Sequence, residues 1–202
     1  MRIPLRFPMS SLRRSRAAVV ACAVLAVACG DITRQKATYA SAATSYSVYT
    51  ITQSPPALPN ALNFLGGVTR ASSSFAFDIA FDIDANGRVI VYPVRALGGA
   101  PAGTLKHVGL QAVSGTFESI LEAPAAGYDT VSAKTISIGS TLAVELRDPT
   151  ACFSYSILQS QLLYAKLTVD SIDAPSRHIW GKLVVDPNCG YRGLVPDSIP
   201  KN

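Results

Sequence analysis

Between Phe75 and Asp84 the chain alternates strictly. Phe75, Phe77, Ile79, Phe81 and Ile83 fall on one face of an extended segment, and Ala76, Asp78, Ala80, Asp82 and Asp84 on the other. A period of two sustained over that stretch predicts a β-strand with one buried and one wet face. Ala85-Asn86-Gly87 then supplies a turn, because Asn and Gly tolerate positive φ. Arg88 to Val94 returns as the partner strand, with Pro93 placing it at a sheet edge or near its own end, since proline cannot donate to a ladder.

The rest of the chain after residue 45 reads the same way. Tyr46 to Thr52 is rich in Tyr, Val, Ile and Thr, the residues that fit a pleated surface. The prolines of residues 53–60 break it, and Ala61 to Leu65 could form one helical turn before Gly66-Gly67. Beyond a Gly/Pro-rich loop from Leu97 to Gly103, Leu105 to Val113 is a weaker strand, and Phe117, Ile120 and Leu121 have the spacing of a short helical turn. Val131–Ile138 and Thr141–Arg147 flank Gly139-Ser140, a Gly-first pair that suits a tight hairpin. A long loop, 148–161, precedes a last hairpin of Leu163–Ile172 and His178–Asp186, and the final stretch reads as an irregular tail. About eight strands joined by short links, with no strong helix between them, predict an all-β fold, an antiparallel sandwich or barrel.

The first residues obey a different pattern. Arg2, Arg6, Arg13, Arg14 and Arg16 precede an uncharged run, Ala17 to Ala28, of 12 residues. That run is too short to span a bilayer, which takes about 20, and it matches the apolar core of a secretory signal. It ends at Cys29. Leu25-Ala26-Val27-Ala28-Cys29 resembles the lipobox of bacterial lipoproteins, although Ala26 stands where leucine is usual. Val19-Val20-Ala21-Cys22 is a rival site that leaves a shorter apolar run, and an ordinary cleaved signal is the plainer alternative. The resemblance covers the leader alone. It implies a signal peptide over residues 1–28, cleavage before Cys29, a diacylglycerol on its sulfur, and attachment to a membrane of the cell envelope. Residues 30–45 are small and polar and read as a flexible spacer, or else as a first strand. A single β-rich domain is expected over 46–202.

Charge and cysteine content sharpen this picture. The chain carries +5, but 5 of its 18 basic residues sit in the leader, leaving 13 against 13 acids. The domain thus has no basic excess to attract nucleic acid. With 49% hydrophobic and 15% charged residues, the chain is also no disordered polymer. Of the 4 cysteines, Cys22 and Cys29 belong to the leader. Cys152 and Cys189 remain, and in an oxidising exported compartment they are expected to form a disulfide.

The chemistry-bearing patterns are sparse. Asp82-Ile83-Asp84-Ala85-Asn86-Gly87 supplies three oxygen ligands at alternate positions and a glycine, the first half of a calcium loop. Pro93 occupies the place where a bidentate Glu belongs, so Asp82, Asp84 and Asn86 are weak metal candidates and the solvated hairpin tip is the simpler reading. Only His107 and His178 are histidines, and neither lies in a ligand or catalytic motif. No nucleophile elbow, dinucleotide loop or phosphate loop occurs, and no cofactor is expected. Asp78 and Asp82 share a strand face but lie about 13 Å apart along it, too far for a retaining glycosidase pair. Tyr155, Tyr164, Trp180 and Tyr191 could stack on a sugar or another apolar ligand, or pack the core. Two functions remain in view. One is a lipid-anchored envelope module that binds a protein, polymer or small ligand; the other is an exported hydrolase or carbohydrate-active enzyme.

Overall fold

A computed structural model describes residues 37–98, 107–149, 151–152 and 161–201. The leader, Cys29 and Tyr155 lie outside the described residues, as do residues 30–36 of the expected spacer. The chain divides into Met1–Lys36 and Ala37–Asn202.

Ten strands occur among the described residues: β1 (Ala42–Tyr49), β2 (Ala61–Asn63), β3 (Gly67–Thr69), β4 (Ile79–Ile83), β5 (Val89–Pro93), β6 (His107–Val113), β7 (Lys134–Ile136), β8 (Thr141–Arg147), β9 (Leu162–Asp173) and β10 (His178–Asp186). They form two antiparallel five-stranded sheets, ordered β1-β10-β9-β8-β6 and β3-β2-β4-β5-β7. The expected all-β sandwich is therefore the fold. Its core runs between the sheets and includes Tyr46, Val48, Phe77, Phe81, Val91, Leu110, Val144, Leu167 and Ile179. Across it the rings of Tyr46 and Phe81 stack 5.5 Å apart.

Several elements differ from expectation, each for a physical reason. The alternating segment yields a shorter strand, and all five residues of β4 are buried. Asp78 is fully buried and Asp82 nearly so. The face expected to be wet is covered because both carboxylates find partners there. Phe64 N–H donates to Asp78 Oδ2 at 2.6 Å. Thr52 Oγ1 donates to both Asp82 oxygens at 2.9 and 2.8 Å, and Arg177 Nη2 to Asp82 Oδ1 at 2.5 Å. Buried polar groups are tolerated when they are bonded in this way.

Ala61–Asn63 pairs with β3 and β4 as strand, not as a helical turn, because Leu62 gains a place in the core. No hairpin forms across Gly139-Ser140. β7 pairs with β5, whereas β8 pairs with β6 and β9, so this short link carries the chain from one sheet to the other. Gly139 takes a φ of +79°, and its N–H donates to Val169 O at 2.8 Å. A glycine accepts such backbone angles without a Cβ clash.

Of the stretch expected as a spacer or else a first strand, Ala42–Ser45 is strand, so the β-rich domain begins before residue 46. Ala42–Ser45 belongs to β1 in full register with Lys182–Val185. Just before it, Asn188 Oδ1 accepts from Thr38 N at 2.8 Å and Tyr39 N at 3.0 Å, while its Nδ2 donates to Tyr39 O at 2.7 Å. Ser41 bonds Ser198 and Asp197 through its backbone. Thr38, Tyr39, Ser41 and Ala42–Ser45 are thus held by β10 and the C-terminal stretch.

Candidate functional site

The outer face of the β1–β6 sheet has two parts. One is roofed by residues 114–133 and by the stretch after β10, where Phe117, Ala123, Tyr164, Val184 and Leu194 form a second apolar cluster. Backbone bonds join the two roofing segments, from Ala123 N to Arg192 O and from Leu194 N to Leu121 O, both at 2.8 Å. Alternation along β9 and β10 points Leu163, Ala165, Leu167, Leu183 and Val185 into the main core. The same alternation turns Tyr164, Lys166, Val184 and Asp186 under this roof.

Lys166 is wholly buried there. Its ammonium donates to Phe117 O at 2.6 Å and Ile120 O at 2.7 Å, and lies 4.6 Å from the Phe117 ring centroid. Burial lowers its pKa, against a raising influence from Glu118. The side chain clamps the roof to the sheet with two of its three proton donors engaged, which is not the state of a free nucleophile.

Glu145, Tyr164 and Asp186 form one row across β8, β9 and β10. Burial raises the pKa of Glu145, while Tyr164 beside it lowers it. Asp186, without exposure, is pushed up to about 6 by burial, opposed by hydrogen bonds from Asn188. Asn188 N and Nδ2 donate to its Oδ1 at 2.8 and 2.7 Å, and Oδ2 has no hydrogen-bond partner among the described residues. Tyr164 is pushed up to about 12 by burial and by Glu145. Two acids with raised pKa are a catalytic signature in principle. Here two strand spacings, about 10 Å, separate their backbones, with Tyr164 between them.

The residues singled out in the sequence scatter. Asp82 is bound to Arg177 and Thr52 as described. Asp84 Oδ1 accepts from Asn86 N and Arg88 N, each at 2.9 Å, and Oδ2 pairs with Arg88 at 2.8 Å. These bonds to Arg88 and Asn86 lower the Asp84 pKa. The weak calcium candidates Asp82, Asp84 and Asn86 are therefore not drawn together: the first ties the sheets, and the second organises the hairpin tip that holds the third. Among the described residues no three of His, Cys, Asp and Glu gather as metal ligands. His107 Nδ1 stands 2.9 Å from Arg95 Nη1, and burial with the Arg95 and Arg147 charges lowers its pKa. Cys152 and Cys189 are disulfide-bonded, with 5.9 Å between their Cα atoms. Of the described members of the aromatic group, Tyr164 and Tyr191 are buried and Trp180 retains a partly open face.

That face lies on the unroofed part of the same sheet. Tyr49 sits opposite His178 on β10, and their rings stack 4.1 Å apart at 11°. His178 also meets Trp180, two residues on, at 3.8 Å. Ser47 Oγ lies 2.6 Å from His178 Nε2. The three rings are half-buried, and Ser45, Ser47 and Lys182 extend the surface as exposed neighbours. Stacking consumes the inner ring faces, so the row offers edges, polar ring atoms and its two outer faces. The spacing of His178 and Trp180 was visible in the sequence. Tyr49 was not, because only the register of β1 against β10 brings it there.

Compared with known proteins, the chain matches no family model, no curated relative and no solved structure.

Proposed function

We propose that this chain is a lipid-anchored binding module of the bacterial cell envelope, attached through Cys29 and working outside the cytoplasm. The observation that carries the binding reading is the Tyr49–His178–Trp180 row, left partly open on a sheet whose other half is roofed. Half-exposed aromatic rings with polar neighbours supply contact area at low entropic cost. The Cys152–Cys189 bond supports an oxidising location. The ligand class for this surface is a polymer or protein of the envelope. The two acids of raised pKa support the competing hydrolase reading, but Asp186 lies under the roof without exposure.

Two measurements test the proposal. A palmitate analogue fed to cells should label the wild type and leave Cys29→Ser unlabelled; equal labelling of both removes the anchor. The mature protein, screened against ester, glycoside, peptide and phosphate substrates, should show no turnover. Turnover abolished by Glu145→Gln would replace the binding module with an enzyme.

A further inference from the structure

A second surface lies on the other sheet. A groove of about 410 Å³ is lined by Pro56, by Thr69, Arg70, Ser72 and Ser74, and by the small apolar Ala71 and Ala76. Its size falls within the range of small-ligand sites, roughly 300–1,000 Å³.

The backbone around Arg70 is fixed from both sides by one buried residue. Asn60 N–H donates to Thr69 O at 3.1 Å, and Asn60 Oδ1 accepts from Ala71 N at 2.8 Å. Asn60 itself is only 8% exposed, so this bracket is anchored in the body of the domain. The next turn is closed by Phe75 N–H donating to Ser72 O at 2.9 Å, and Phe75 takes a φ of +50°. A bulky residue in the left-handed region is costly, and such strain is retained where surrounding structure imposes it. Ser72 and Ser74 hydroxyls lie 2.8 Å apart on this turn. The groove wall is therefore a held shape.

Arg88, Arg177 and Arg192 each have a carboxylate partner. Among the described residues the Arg70 guanidinium has none. It is an exposed cation on a rigid rim, beside three hydroxyl groups that can donate or accept. A guanidinium presents paired donors matched to carboxylate and phosphate oxygens. Serine and threonine hydroxyls suit the hydroxyl groups of a sugar body.

We propose that this groove binds a monosaccharide-sized ligand bearing an oxyanion, with Arg70 as its charge partner and Thr69, Ser72 and Ser74 as its polar wall. The site is independent of the aromatic row and does not require the anchor.

The test is a backbone-amide NMR titration of the mature protein with glucuronate, glucose 6-phosphate and uncharged glucose. Saturable shifts in residues 69–76 are expected with one or both acids and at least tenfold weaker with glucose. Response to glucuronate alone assigns a carboxylate, and response to glucose 6-phosphate alone a phosphate. Arg70→Gln should weaken binding tenfold or more while leaving the rest of the spectrum in place, and Arg70→Lys should fall between. Arg88→Gln, remote in sequence and already paired with Asp84, should bind as the wild type does. No saturable shift with either acid overturns the proposal. So does equal affinity for glucose, or equal binding by Arg70→Gln.

Discussion

Asp186 shows how a single buried group makes stability depend on pH. Its carboxyl is held up to about 6, above its ordinary value of 3.8, because burial penalises the anion. Tyr164 faces it from β9, Asn188 bonds it from the following turn, and neither carries a compensating positive charge. The folded state thus holds the proton more tightly than the unfolded state. Its relative advantage is full below about pH 4 and is lost as pH rises to about 6. Asp186→Asn removes this titration while keeping an acceptor for Asn188. In urea unfolding, the stability of the wild type relative to Asp186→Asn should fall by up to about 3 kcal/mol over that window. A difference that stays constant with pH would show that the carboxyl does not titrate as a buried group.

Strands β4 and β10 carry the predictions that belong to elements. Phe81 is fully buried against Tyr46, so Phe81→Ala should cost about 3–5 kcal/mol in denaturant unfolding. Asp78→Ala, which would be mild on a wet face, should cost about 2–3 kcal/mol, because it leaves the buried Phe64 N–H without its acceptor. A near-zero loss would mean that water reaches this face. On β10, the register slips between Trp180 and Gly181, where β9 carries one extra residue. A Cβ added at Gly181 would lie 2.1 Å from Thr168 O and 2.4 Å from the Tyr46 ring. The Tyr46 hydroxyl donates to that same Thr168 O at 2.9 Å. Gly181→Ala must therefore open the β9–β10 pairing at Thr168 and displace the Tyr46 ring of β1. A loss of about 3 kcal/mol is expected, with weakened amide protection along Ala42–Tyr49; unchanged protection would contradict the close approach.

For the molecule as a whole, the disulfide and the Asp82–Arg177 pair join distant parts of the chain. Cys152 and Cys189 are 37 positions apart, and their bond fastens the turn after β10 to the segment after β8. Intact mass should rise by two hydrogens on reduction. Replacing both cysteines by alanine should lower stability by about 2–4 kcal/mol, largely through a freer unfolded chain. Two alkylatable thiols in the non-reduced, denatured protein would contradict the bond. Arg177, in the turn between β9 and β10, reaches Asp82 on β4 and so ties one sheet to the other.

Local pattern was enough for the strands and for the class of fold. Period-two alternation, Asn-Gly turns and the absence of a helical period are properties of neighbouring residues, so β4, β5, β9 and β10 were legible with their turns. The same holds for the pairing of the two cysteines left after the leader, since only one pairing is possible. Sheet membership was not legible. Thr141–Arg147 alternates equally well beside β7 or between β6 and β9, and only burial of both partners in the core chooses between them. Nor could alternation tell that the Asp78–Asp82 face is covered, because the covering groups, Phe64, Thr52 and Arg177, come from segments up to 95 residues away. The Tyr49–His178–Trp180 row, the Lys166 clamp and the bracket around Arg70 all depend on contacts between segments distant in sequence. Side-chain chemistry is written in the chain, but the neighbours that decide whether a charge is paired, buried or open are set when the two sheets close.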